Sequence, residues 1–224
     1  MSVVNGLALN GSINVGSGSA LSFNNRTSTG FAANQTLSGT GTINLSSGTI
    51  WVEGSAPGGS LTIGPNVQVR GSGTIGQAVA ESANVTLINN GLISADVSGQ
   101  TLQIVPIGNL GGVTNNGILQ ATNGGTLLLS TGINATSGSQ LKADAGSSIV
   151  QNGVTITGTI NTTGSGSFVA NSSGNNFLNG VVLNGTLAGH TVNGQYQRDP
   201  ATRALGGELR RVLSDADVPS AGCL

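Results

Sequence analysis

The residues with the most chemical promise are Gly71-Ser72-Gly73-Thr74-Ile75-Gly76. They carry the Gly-x-Gly-x-x-Gly spacing and follow the strand-like Val67-Gln68-Val69, and Asp96 lies twenty residues beyond Gly76. Glycines so spaced let a backbone approach a pyrophosphate, and the later carboxylate can hold a ribose hydroxyl. With 38 Gly in 224 residues, however, about one such match arises by chance, and no strand–helix–strand pattern follows it. A nucleophile–His–acid triad would have to use His190, the only histidine, with Asp199 as the nearby acid, and no nucleophile elbow is present. For metals, Glu53, Glu81, Asp96 and Asp144 are isolated in sequence, Cys223 is the single cysteine, and no Gly-Gly-x-Gly-x-Asp calcium repeat occurs. A polysaccharide lyase or hydrolase needs paired carboxylates, or carboxylates beside Lys or Arg. Before residue 197 the chain offers Arg26, Arg70 and Lys142 as cations, and Trp51 as the one large surface on which a sugar could stack. The residues therefore predict no catalytic, cofactor-binding or metal-ligating side chain. Trp51 is the single candidate surface contact, with a core or capping role as its alternative.

The elements around these residues follow one pattern. Gly11-Ser12-Ile13-Asn14-Val15, Gly41-Thr42-Ile43-Asn44-Leu45, Gly59-Ser60-Leu61-Thr62-Ile63 and Gly153-Val154-Thr155-Ile156-Thr157 each alternate apolar and small polar residues, the mark of a short half-buried strand. Nine Asn-Gly pairs, from Asn5-Gly6 to Asn193-Gly194, mark tight corners between such strands. A longer period overlies them. Asn89-Asn90-Gly91-Leu92-Ile93-Ser94-Ala95 recurs as Asn115-Asn116-Gly117-Ile118-Leu119-Gln120-Ala121, 26 positions on, and Thr101-Leu102-Gln103-Ile104 recurs as Thr126-Leu127-Leu128-Leu129, 25 positions on. Self-similarity of that length signals a repeat architecture. Two or three short strands plus corners per repeat make one coil of a parallel β-helix, with about eight or nine coils in all and ladders of Asn and Thr at equivalent corners. A β-sandwich or β-roll is the competing fold. Gln77 to Asn84 and Val105 to Gly112 break the rhythm and read as looped-out insertions.

Composition agrees. Only 7% of residues are charged and 3% aromatic, yet 37% are hydrophobic and the net charge is −1. Short aliphatics without aromatics suit a narrow stacked core better than a thick one. The charge balance gives no footprint for nucleic acid, and no apolar run approaches the ~20 residues of a membrane span. The start, Met1-Ser2-Val3-Val4-Asn5-Gly6, does not look like a signal segment. Eight of the fifteen charged residues fall within the final 27 positions, which sets a boundary between a repeat domain, 1–196, and a charged tail, 197–224, either a helical cap or disordered.

The stretch from Asn89 to Leu129, with its Asn-Asn-Gly and Gly124-Gly125-Thr126-Leu127-Leu128-Leu129 segments, resembles the repeats of bacterial surface proteins: autotransporter passengers, filamentous-haemagglutinin-like adhesins and β-strand-repeat proteins. Looser matches run from about residue 5 to 195. The resemblance implies an all-β, right-handed parallel β-helix, export to the cell surface or beyond, and a non-catalytic adhesive or stalk role. Expected partners are a host or cell-surface glycan or a protein receptor, with end-to-end self-association. Two alternatives stand beside it. One is a polysaccharide-acting enzyme or carbohydrate-binding module, for which Glu53, Arg70, Glu81 and Trp51 would have to converge in one groove. The other is an ice-binding solenoid, for which Thr40, Thr42, Thr155, Thr157 and Thr159 would have to align.

Overall fold

The computed structural model describes residues 1–23, 34–52, 59–76, 85–105, 110–171 and 175–189. All the regular structure in them is strand, twenty-one in number, from Ser2–Val3 to Leu187–Gly189. Every pairing is parallel, and the chain visits three ladders in a fixed rotation, so the molecule is a β-solenoid with three faces per coil.

The first face stacks Ser2–Val3, Ala20–Phe23, the later parts of Thr42–Val52 and Gln68–Gly76, Thr101–Val105, Thr126–Leu129, Ser148–Gln151, Ser167–Ala170 and Leu187–Gly189. The second stacks Leu7–Leu9, Asn34–Gly39, Ser60–Ile63, Val85–Asn89, Leu110–Asn115, Ile133–Ala135 and the beginnings of Thr155–Thr162 and Phe177–Asn184. The third stacks Ser12–Val15, the earlier parts of Thr42–Val52 and Gln68–Gly76, Leu92–Ala95, Ile118–Ala121, Gln140–Ala143 and the ends of Thr155–Thr162 and Phe177–Asn184. Among the described residues the first ladder thus has nine rungs. At the usual ~4.8 Å between hydrogen-bonded strands, eight steps make a rod about 38 Å long.

The 26- and 25-residue shifts seen in the sequence are the coil registers themselves. Asn89 pairs with Asn115, Ile93 with Leu119 and Leu102 with Leu127. Alternation sends one side chain in two to the axis, and parallel in-register stacking puts like on like. Ile43, Val69, Ile93, Leu119, Leu141 and Ile160 form one such column, all fully buried.

Two expectations need correcting. The strands are not all short: Thr42–Val52 and Gln68–Gly76 continue from the third face onto the first. The bend is made within the strand, at a register shift between Ser46 and Gly48 where Ser47 has φ 57°. Nor are Val105 and Leu110 to Gly112 looped out. They lie in the strands Thr101–Val105 and Leu110–Asn115, the irregularity reduced to a register shift between Leu110 and Val113. Residues 106–109 between them, and the other proposed insertion, 77–84, lie outside the described residues. So do His190, Arg26, Glu53, Glu81, the boundary at 196 and the charged tail.

The Asn-Gly corners serve two physical purposes. Asn123-Gly124 is a left-handed turn, with φ 53° and 75°. Gly91 and Gly117 have no such φ; there the corners of successive coils touch. A Cβ at Gly117 would sit 2.2 Å from the carbonyl oxygen of Gly91, and one at Gly91 would sit 2.3 Å from that of Val67. Close approach, rather than conformational freedom, requires glycine there.

The core also holds amides. Asn89 and Asn115 are fully buried; Asn89 Nδ2 donates to Asn115 Oδ1 at 2.8 Å and to Ile118 O at 3.1 Å. Asn115 Nδ2 donates to Gln140 O at 3.2 Å and Gly117 O at 3.3 Å, while Asn89 Oδ1 accepts the Gly91 amide at 3.2 Å. The sequence placed such ladders at equivalent corners, and one runs there, Thr136 Oγ1 donating to Asn116 Oδ1 at 2.9 Å and Asn116 Nδ2 to Asn90 Oδ1 at 2.8 Å. The Asn89–Asn115 ladder lies inside, joining strand to corner across coils, and its buried polar atoms are satisfied as burial demands.

Candidate functional site

The third face collects the chemistry. Its outward column runs Asn14, Asn44, Arg70, Ser94, Gln120, Lys142, Asn161 and Asn184, one residue per coil. At the corner that follows, Asp96, Thr122, Asp144 and Thr163 occupy equivalent positions, since Thr122 N donates to Ala95 O, Asp144 N to Ala121 O and Thr163 N to Ala143 O. Arg70, Asp96, Lys142 and Asp144, the charged side chains of the described residues, therefore all lie on one strip.

The strip is internally bonded. Arg70 Nε donates to Asp96 Oδ2 at 2.7 Å, with Nη2 on the same oxygen, across one coil. The Asp96 side chain is 9% exposed and that of Arg70 49%. The carboxylate is thus tucked against the corner while the guanidinium stays accessible. Lys142 Nζ lies 3.5 Å from Asp144 Oδ1, both about a third exposed, and Thr163 Oγ1 donates to the same oxygen at 3.3 Å. Gln120 Nε2 donates to Ser94 Oγ at 3.0 Å. Asn44 Nδ2 donates to Asn14 Oδ1, and Asn184 Nδ2 to Asn161 Oδ1, each at 2.9 Å. Cross-coil bonds of this kind hold long side chains in place, which lowers the ordering cost of binding a partner. What the strip offers is amide donors and acceptors, hydroxyls and two cations, each cation with its own counter-charge.

Next to this strip the corner between the second and third faces opens into a shallow groove of about 360 Å³, walled by Pro65, Asn66 and Asn90 and by outward Gln68, Leu92 and Ile118. The last three form the neighbouring outward column of the third face.

The other sequence candidates are dispersed. Trp51 points outward from the first face, half-buried, in register with Ser22 and Gly76. Arg70 is on the third face, so these two do not share a surface; Glu53 and Glu81 lie outside the described residues. Gly71 to Gly76 is strand, with no helix for a phosphate to cap, and Gly71 and Gly73 combine φ of 114° and 138° with close contact. A Cβ at Gly71 would lie 2.0 Å from Leu45 O, and one at Gly73 2.2 Å from Gly48 O. Asp96 meets Arg70 rather than any ribose site. Of the threonines, Thr42 and Thr159 fall in one column with Gln68, Leu92, Ile118 and Gln140 between them, and Thr155 lies in another, beside Phe177. Among the described residues no three His, Cys, Asp or Glu side chains gather as metal ligands, and no helix is long and apolar enough to cross a membrane.

Comparison with protein-family models, with curated proteins and with solved structures gives no match for this chain.

Proposed function

We propose that this chain is a rigid, non-catalytic segment of a secreted or surface-exposed bacterial protein that presents its third face to a glycan or protein receptor. The observation that carries the reading is the gathering of Arg70, Asp96, Gln120, Lys142 and Asp144 on one pre-bonded strip of the solenoid. The parallel ladders and buried amide bonds give the stiffness a stalk needs, and outward columns repeating every ~4.8 Å suit an extended partner touching several coils at once. The resemblance of the Asn89–Leu129 stretch to surface-protein repeats supports export.

The test is binding of labelled full-length chain to a glycan panel and to cell surfaces, with Arg70→Ala, Gln120→Ala and Lys142→Ala combined in one variant. The expected result is saturable binding that falls by about tenfold or more in the folded variant. Binding insensitive to the triple variant would remove the third face from the reading. Release of new reducing ends or unsaturated sugars from a polysaccharide would replace it with the enzymatic alternative.

A further inference from the structure

The corner between the third and first faces holds a reactive pair that the binding reading leaves unused. Thr122-Asn123-Gly124-Gly125 closes with Gly125 N donating to Thr122 O at 2.9 Å, and Asn123 and Gly124 have φ of 53° and 75°, the signature of a type I′ turn. The adjacent coils make the corresponding corner with Val97-Ser98-Gly99-Gln100 and Asp144-Ala145-Gly146-Ser147, closed at 3.0 and 2.9 Å. In those two turns only the glycine has positive φ. Asn precedes Gly in the middle coil alone. A glycine amide, uncrowded by any Cβ, can attack the side-chain carbonyl carbon of a preceding Asn and close a five-membered imide.

Four Asn-Gly pairs have described residues of a coil on both sides, and three of them are locked. Gly91 N donates to Asn89 Oδ1 at 3.2 Å, Gly117 N to Asn89 O at 2.9 Å and Gly153 N to Asn176 Oδ1 at 2.7 Å. Their carboxamide oxygens are held as well. Asn90 Oδ1 accepts from Asn116 Nδ2 at 2.8 Å, Asn116 Oδ1 from Thr136 Oγ1 at 2.9 Å, and Asn152 Oδ1 from Asn171 Nδ2. Asn123 differs. It is exposed, and its carboxamide is held by one bond, from Nδ2 to Asp96 O at 3.1 Å. The Gly124 amide is held by a single hydroxyl, Ser147 Oγ at 2.9 Å.

We propose that Asn123-Gly124 is a site of spontaneous deamidation in the folded chain, with Ser147 as the latch that sets its rate. Gly124 N gives its proton to solvent and bonds to Asn123 Cγ; the Cγ–Nδ2 bond breaks, and Nδ2 takes a proton from solvent and leaves as ammonia. Water then opens the imide at either carbonyl, giving aspartate or isoaspartate. No oxidant, reductant or second protein enters. The product exchanges the donor to Asp96 O for a carboxylate, so a new negative charge appears at the corner beside the Arg70–Asp96 pair. The charge-balanced strip becomes acidic as the chain ages. The modification does not depend on what the third face binds.

The experiment incubates the full chain at mildly alkaline pH and follows each Asn-Gly peptide by mass spectrometry, with fragmentation that separates aspartate from isoaspartate. In the folded chain, conversion is expected at Asn123 ahead of Asn90, Asn116 and Asn152; in urea all four should convert at comparable rates. Ser147→Ala removes the hydroxyl from a buried position and should speed Asn123 about fivefold, the worth of one hydrogen bond, leaving the other three unchanged. Asn123→Ser, which copies Ser98-Gly99 of the preceding coil, should fold and yield less acidic form on anion exchange. A folded chain in which another of the four converts first overturns the proposal. So does a folded chain in which none converts while the urea-treated chain does. A folded S147A variant that converts at the wild-type rate overturns the latch.

Discussion

Replacing Asn115 by Ala should cost far more than replacing Asn116, its immediate neighbour. Asn115 is fully buried and takes part in three hydrogen bonds: it accepts from Asn89 at 2.8 Å and donates to Gln140 O and Gly117 O at 3.2 and 3.3 Å. Truncation removes the side-chain donor from the part-buried Gln140 O and one of two donors from Gly117 O, which keeps the Gln140 amide at 2.9 Å. It also strips Asn89 Nδ2 of its shorter bond, leaving only Ile118 O at 3.1 Å. Each of the three hydrogen bonds lost contributes about 1 kcal/mol, so the sum is about 3 kcal/mol. Asn116 is exposed; its bonds to Asn90 Oδ1 at 2.8 Å and from Thr136 Oγ1 at 2.9 Å are replaceable by water. Its loss should cost less than about 1 kcal/mol. Urea unfolding followed by far-UV circular dichroism measures both, with the slope compared between variants to confirm that the same transition is observed. Costs equal within about 0.5 kcal/mol would refute the argument, because the difference rests wholly on which amide faces the axis.

Three further predictions use other features. Gly117→Ala should destabilise by about 3 kcal/mol or prevent folding, since its Cβ meets backbone at 2.2 Å, while Gly11→Ala, with nothing within 4 Å, should be near neutral; thermal unfolding compares them. Arg70→Ala should cost about 1–2 kcal/mol by stranding the nearly buried Asp96 carboxylate, against about 0.5 kcal/mol or less for Lys142→Ala, whose pair is longer and more exposed. An equal loss of melting temperature in the two would show that Asp96 is not sheltered. Trp51 lies outward over a position where the next coil has only Gly76, so its fluorescence in the native state should be quenchable by acrylamide, and a fully shielded indole would contradict the placement.

Much of this fold is legible in the sequence because parallel stacking copies each coil onto the next. The 26-residue offset that aligns Asn89 with Asn115 is a structural register, but at Arg70 the register is 24, onto Ser94, and Asp96 meets Arg70 diagonally from the corner two residues on. The ion pair is therefore a diagonal contact that the repeat period alone does not project. It was obscured because Asp96 also stands at the spacing of a nucleotide-binding carboxylate. Lys142 and Asp144 were harder to place, since the coil shortens beyond Leu129: Thr126 pairs with Ser148, 22 on, and Ser148 with Ser167, only 19 on. No fixed offset then projects a residue onto a face. The corner-turning strands were hidden for a local reason, because Ser46-Ser47-Gly48 has the composition of a loop while its backbone keeps the ladder on both sides. The burial of Asn89 and Asn115 was hidden too, since an Asn beside a glycine reads equally as a corner.

The account rests on parallel, in-register coils, and disulfide trapping tests that most directly. Thr101 and Thr126 are register partners on the outside of the first face. Adjacent parallel strands put such Cα atoms ~4.8 Å apart, within the range of about 4.4–6.8 Å that a disulfide spans. In a Cys223→Ser background, Thr101→Cys with Thr126→Cys should oxidise to a single intramolecular bond, read by peptide mass spectrometry. Thr101→Cys with Leu128→Cys, two residues out of register and roughly 8 Å apart, should stay reduced. Bond formation in the second pair but not the first would contradict the solenoid.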